Sequence, residues 1–175
     1  MHDPIKVFVT GGTIDDLEYE NEINVPRNRQ SIIPGFIEKL SHESSRFHTE
    51  ILMFKDSQFI TDADRSFILK KILESVEKHI LITHGTKTMA ATAKFLGLKR
   101  VAKTIVLTGC MTLPSQDSGH DALRSLAFAL ERIQKLPPGV YIAMQNQIFA
   151  WDNVRKNIKL GKFEAETVSG AASGN

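Results

Sequence analysis

One cysteine, Cys110, in a chain of 175 residues leaves no internal disulfide to be made. It lies in an apolar, strand-like segment, where the expected role is that of a small buried hydrophobe. Long apolar runs are equally missing. Stretches such as Ile80-Leu81-Ile82-Thr83 fall far short of the roughly 20 residues a membrane-spanning helix needs. The opening residues Met1-His2-Asp3-Pro4-Ile5-Lys6 lack the basic region, apolar stretch and small-residue cleavage site of a secretory leader, so a cytoplasmic protein is expected. The six histidines show neither HExxH nor paired CxxC spacing, and neither a metal nor another cofactor is expected. Lysines and arginines are scattered rather than gathered in a stripe, and the formal net charge is only +2, which argues against a nucleic-acid surface. No coiled-coil heptad is present.

Hydrophobic residues make up 42% and charged residues 24% of the chain, proportions that suit one soluble globular domain with a real core. Apolar, β-branched runs at residues 5–10, 47–54, 80–83, 104–108 and 140–144 predict strands. Between them, helices are predicted over 34–40, from an N-cap at Thr61 onward, over 86–96 with Gly97 as the stop, and over 121–134 before Pro137-Pro138-Gly139. The helix after Thr61 has the best support, with Asp62 and Asp64 in its first turn and Ile68, Leu69, Ile72 and Leu73 at helical spacing. Strands alternating with helices at this rhythm predict an α/β fold: a single domain with a doubly wound, mainly parallel sheet and helices on both faces. The domain is expected to fill residues 1–163. Residues 164–175, small, polar and without period, are expected to form a disordered or loosely attached tail.

In such a sheet ligands bind beyond the carboxyl ends of the strands. The segments there are Thr10-Gly11-Gly12-Thr13-Ile14, Asp56-Ser57-Gln58, His84-Gly85-Thr86-Lys87-Thr88-Met89 and Gly109-Cys110-Met111. Glycine turns ending in hydroxyl residues bring backbone N–H groups and a nucleophile to one crevice, the equipment of acyl transfer. Read singly, Gly-Gly is a tight turn and each threonine a helix cap, Tyr19 a loop aromatic, Lys156 a solvated charge and Ser57 a turn residue. The third spaced glycine and the GKS or GKT ending of phosphate-binding loops are absent, which disfavours a nucleotide-binding role.

As a set, these segments resemble the L-asparaginase family. Val9-Thr10-Gly11-Gly12-Thr13-Ile14 is similar to its first signature, and Thr83-His84-Gly85-Thr86-Lys87-Thr88-Met89 to its second, in the family's order. Asp56-Ser57-Gln58, the strand ending at Thr108, Asp117-Ser118-Gly119-His120-Asp121-Ala122 and the stretch ending in Asn153-Val154-Arg155-Lys156 continue the likeness to about Phe163. The resemblance implies hydrolysis of the side-chain amide of L-asparagine, or of L-glutamine, through a threonine acyl-enzyme. Thr13 matches the nucleophile, and Tyr19 the tyrosine on the loop at 15–29 that closes over substrate. Thr86 matches the second threonine, coupled to Lys156. Asp56, Ser57 and Gln58, with Gly12 and Gly85, match the substrate-binding positions. A homo-oligomer is implied as well.

Two departures stand out. The family's usual chain continues into a C-terminal domain that this chain ends before, and the position after Thr86, an aspartate in the family, is Lys87. An ammonium therefore stands among the expected catalytic residues. Asp15, Asp16, Glu18, Asp117 and Asp121 are the acids that could replace the missing carboxylate. The alternative function is a weak or silent relative with altered substrate that acts as a small-molecule binder.

Overall fold

The β-branched runs become strands of one sheet in the computed structural model, which describes residues 3–19, 30–41 and 44–166. They are β1 (Ile5–Val9), β2 (Phe47–Ile51), β3 (His79–Thr83), β4 (Thr104–Thr108), β5 (Gly139–Met144) and β6 (Gln147–Ala150), in the order β2-β1-β3-β4-β5-β6. All neighbours pair in parallel except β5 and β6, which are antiparallel. A doubly wound sheet with helices on both faces, built as a single domain, is thus what the chain forms. Its topological switch point lies between β1 and β3, where successive crossovers leave in opposite directions and open a crevice.

Side chains alternate faces along each strand, so each strand feeds two cores. Phe8, Ile80, Ile82, Ile105, Leu107 and Ile142 face α2 (Asp62–Glu74) and α3 (Met89–Gly97), and each is fully buried. On the other side Val7, Leu81 and Val106 meet α1 (Ile33–Leu40) and α5 (His120–Ile133), through Ile33 and Ile37 of α1 and Leu126 and Ile133 of α5. Burying one such aliphatic side chain contributes roughly 1.5 to 3 kcal/mol, so the sheet floor is a stiff base for the loops above it.

Local chemistry sets the helix ends. Thr61 and Asp64 form a reciprocal capping box at the head of α2, as the first-turn acids predicted. The helix expected from residue 86 begins only at Met89, because Thr88 is tied to the loop after β2: its hydroxyl donates to the Ser57 carbonyl at 2.6 Å and its amide to Ser57 Oγ at 3.3 Å. Gly97 is the last residue of α3 rather than the residue after it. β2 stops at Ile51, short of the expected 54, since the amides of Leu52 and Met53 both turn back to the Val9 carbonyl.

Several elements had no sequence expectation. Gln145 and Asn146 both take left-handed φ, of 53° and 58°, and turn β5 into β6. A short helix α4 (Pro114–Asp117) precedes α5, and an antiparallel ribbon of β7 (Arg155–Asn157) and β8 (Lys162–Glu164) follows β6. The tail expected from residue 164 starts inside this ribbon: Glu164 pairs with Arg155 in the strand register and accepts from its Nη2 at 2.7 Å. Residues 167–175 lie outside the described residues. Among the described residues no helix is long and apolar enough to cross a membrane.

Candidate active site

The turns after β1 and β3 touch backbone to backbone. A Cβ on Gly12 would lie 2.4 Å from both the Cα and the N of Gly85, so no larger residue fits between them. Gly12 also holds φ 82° and ψ −176°, a conformation open essentially to glycine alone. A Cβ on Gly85 would in turn lie 2.7 Å from Ser57 Oγ. Three segments that the sequence singled out are thereby packed at the switch point: the turn with Gly12 and Thr13, the turn with Gly85 and Thr86, and the loop with Asp56, Ser57 and Gln58.

Thr13 opens a 3-10 turn that runs to Asp15, and its side chain is half-buried. Among the described residues, no hydrogen-bond partner holds its hydroxyl. Thr86 is buried, and its hydroxyl accepts from Lys156 Nζ at 2.7 Å. Lys156 comes from β7, so the ribbon is what carries this amine across to the second signature. Burial, and after it the charge of Lys87, holds the Lys156 pKa below the ordinary lysine value, with Glu18 and Asp56 pulling weakly the other way.

Lys87 reaches two carboxylates. Its Nζ donates to Asp56 Oδ2 at 3.0 Å and lies 3.8 Å from Glu18 Oε1. Asp56 is buried, and its other oxygen accepts the Gln58 amide at 3.0 Å. Gln58 also donates from its side chain to the Tyr19 carbonyl at 2.8 Å. The Tyr19 ring is buried against Phe59, centroids 5.2 Å apart and planes 7° from parallel, and no hydrogen bond links it to Thr13. Residues 20–29 of the loop expected to close over the crevice lie outside the described residues.

Of the acids considered as substitutes for the missing carboxylate, Glu18 stands at the crevice. Asp15 faces inward and accepts from Ser31 Oγ at 3.0 Å and the Ile32 amide at 2.8 Å. Asp16 accepts from the Ser115 amide and hydroxyl. Asp117 caps Gly119 and Asp121, and Asp121 Oδ2 accepts the amides of Met111 and Thr112. Cys110 is buried, and burial pushes its thiol pKa up, so it acts as the packing residue that was expected.

Beneath the second signature lies a set of residues that sequence reasoning passed over. His84 is fully buried; its Nδ1 contacts the Gly85 carbonyl at 2.8 Å and its Nε2 the Thr92 hydroxyl at 3.0 Å. A carbonyl only accepts, so Nδ1 carries the proton and Nε2 accepts from Thr92, whose oxygen accepts from Arg65 Nε at 3.1 Å. Arg65 is anchored in turn by Asp62 at 2.8 Å. The chain of bonds holds the Gly85-Thr86 turn from below, and burial holds the His84 pKa down at about 4, so it stays neutral. The available signal was the placement of Thr92 and Arg65 on inward helix faces.

The crevice bounded by Glu18, Tyr19, Gln58, Lys87 and Leu113 has a volume of about 430 Å³. A larger cleft of about 870 Å³ opens between α3 and the ribbon, lined by Ala90, Ala91, Trp151 and Ile158. It shares Lys87 with the crevice and carries Lys156 on its own wall; neither lining includes Thr13 or Thr86, and we place the substrate in the smaller space, where Gln58 and Tyr19 of the singled-out segments stand.

The model of the family described as Asparaginase, N-terminal, matches residues 4–165. The chain is 31% identical over 160 residues to an L-asparaginase of Thermococcus kodakarensis, an alignment covering 89% of this chain and 48% of that protein. It is 35% identical over 112 residues to a glutaminase-asparaginase of Acinetobacter glutaminasificans, covering 59% of this chain and 34% of the other. The solved thermostable L-asparaginase from Thermococcus kodakarensis superposes with a TM-score of 0.76 at 28% identity, over 93% of this chain and 51% of that one. The chain therefore spans about half the length, or less, of the relatives it matches.

Proposed function

The chain belongs to the asparaginase family, and we propose that it is an amidohydrolase that releases ammonia from the side-chain carboxamide of a small acid, L-asparagine or L-glutamine being the reference substrates. The observation that carries this proposal is the hydrogen bond from Lys156 Nζ to Thr86 Oγ1 on a turn packed directly against the one bearing Thr13.

In the proposed reaction Thr13 Oγ1 attacks the carboxamide carbon. Its proton passes through the Thr86 and Lys156 pair, with Lys156 acting as a neutral amine, to the leaving nitrogen. The C–N bond breaks, ammonia departs and an ester on Thr13 is left. Water then adds to the ester and gives up a proton by the same route, and the C–O bond to Thr13 breaks to return the hydroxyl and release the acid. In this scheme backbone N–H groups of the turns at Gly12 and Gly85 stabilise the oxyanion of each addition. Ser57 and Gln58 take the substrate's carboxylate, and Tyr19, stacked on Phe59, forms a wall of the crevice. Glu18 and the tightly packed Asp56 tune the charge of the crevice.

A second reading rests on the same hydrogen bond and gives the attack to Thr86, the threonine whose hydroxyl already has an amine within reach. A homo-oligomer in the cytoplasm, with neither nucleic acid nor membrane as partner, completes the proposal. A coupled ammonia assay on L-asparagine and L-glutamine tests it. Ammonia release well above that of heat-inactivated protein is expected with at least one of them, and none with either, or with their analogues lacking the α-amino group, would end the amidohydrolase proposal.

A further inference from the structure

Lys87 already holds a buried carboxylate. Its Nζ sits 3.0 Å from Asp56 Oδ2, and the remaining oxygen of that carboxylate is taken by the Gln58 amide. Asp56 is only 4% exposed, so a second cation has no free face of it to approach. Glu18 is half-exposed and already lies 3.8 Å from the same Nζ. The other acids near the switch point, Asp15, Asp16, Asp117 and Asp121, hold hydroxyls and backbone amides. Among the described residues the cation lining the crevice is thus Lys87, and the buried carboxylate beside it is internally paired. A ligand bringing its own ammonium would displace Lys87 or sit beside a like charge. A ligand without one leaves the Lys87–Asp56 pair in place and brings its carboxylate to Gln58 with the Lys87 ammonium alongside.

We propose that Lys87 sets the specificity of this site, and that the preferred substrates are monoamides of short dicarboxylic acids that lack an α-ammonium group. This rests on the amidohydrolase reading for the chemistry, but the binding preference follows from charge placement alone. Succinic acid monoamide and L-asparagine differ only in that ammonium, which makes them a clean pair.

The test is calorimetric titration of both compounds into the Thr13→Ala protein, where neither is turned over, and into the same protein carrying Lys87→Asp or Lys87→Met. The monoamide should bind at least tenfold more tightly than asparagine with Lys87 present. Lys87→Asp should narrow or reverse that ratio, and Lys87→Met should bring it to an intermediate value. Circular dichroism establishes that each variant is folded, and Lys87→Met serves if Lys87→Asp is not. Equal or tighter binding of asparagine, a ratio unmoved by either substitution, or binding of neither compound would overturn the inference. Ammonia release by the parent protein separates the two claims. Tight monoamide binding without ammonia leaves the specificity standing and ends the hydrolase reading, whereas efficient turnover of asparagine over the monoamide does the opposite.

Discussion

Lys156 donates to Thr86 Oγ1 at 2.7 Å while the Lys87 charge nearby, after burial, presses its pKa downward. If the neutral amine is the working form, activity rises as pH climbs through this lowered pKa and levels off above it. Replacing Lys87 by Met removes a like charge and frees Asp56, and both changes raise the Lys156 pKa. The rising limb of the profile of kcat against pH should therefore move to higher pH in Lys87→Met, and Lys156→Ala should lose at least a hundredfold in kcat, within the usual reach of a general base. A limb that stays put in Lys87→Met would separate these two lysines electrostatically.

Gly12→Ala should cost both stability and activity. The new methyl would meet the Gly85 backbone at 2.4 Å, on a φ and ψ pair that non-glycine residues avoid. Strain of that kind costs about 1 to 3 kcal/mol before the clash is counted. A lower midpoint of urea denaturation and a loss of turnover are expected, and an unchanged midpoint would show that the two turns are not held in contact.

The buried His84 makes stability pH-dependent. Its folded pKa, about 4, lies below the ordinary value of 6.5, so between those values the unfolded chain binds more protons than the folded one. Stability from this residue is full above the unfolded value and falls as pH drops toward 4, by about 3 kcal/mol in all. Denaturation free energies measured from pH 7 to pH 4 should decline with that slope in the parent, and His84→Asn should flatten it.

Glu77 governs the more acidic range. Its carboxylate accepts from Ser75 Oγ and contacts His48 Nδ1 at 2.5 Å, and these partners outweigh its desolvation to hold the pKa at about 2, against an ordinary 4.5. A depressed carboxylate stabilises the fold above its unfolded pKa and loses that contribution as pH falls to its folded pKa. Acid unfolding below pH 4.5 should consequently be shallower in Glu77→Gln than in the parent, whereas identical curves would remove Glu77 from the acid response.

The mainly parallel sheet was legible because apolar strands alternating with helices leave few topologies, and the capped helix after Thr61 announced itself through Asp62 and Asp64; the strand order that puts the switch point between β1 and β3 was not. Glycine turns ending in threonine marked the crevice. What stayed hidden depends on contacts between distant segments. The start of α3 is set by Thr88 bonding to Ser57, the seat of Lys156 by a ribbon with no strong β pattern, and the His84 relay by α2 meeting α3. The Lys87 substitution was visible as a change of charge, yet only its approach to Asp56 gives that charge a counterpart. Among the acids, Glu18 was set apart by the occupied hydrogen bonds of the others, which spacing does not encode.

Single-turnover hydrolysis, quenched in acid and followed by peptide mass mapping, tests the central claim most directly, with succinic acid monoamide and L-asparagine as substrates. The account predicts a transient acyl ester on the peptide that contains Thr13, absent from Thr13→Ala, whose ammonia release falls below a tenth of the parent's. An ester on the Thr86 peptide, or Thr13→Ala releasing ammonia at more than a tenth of the parent rate, would contradict it.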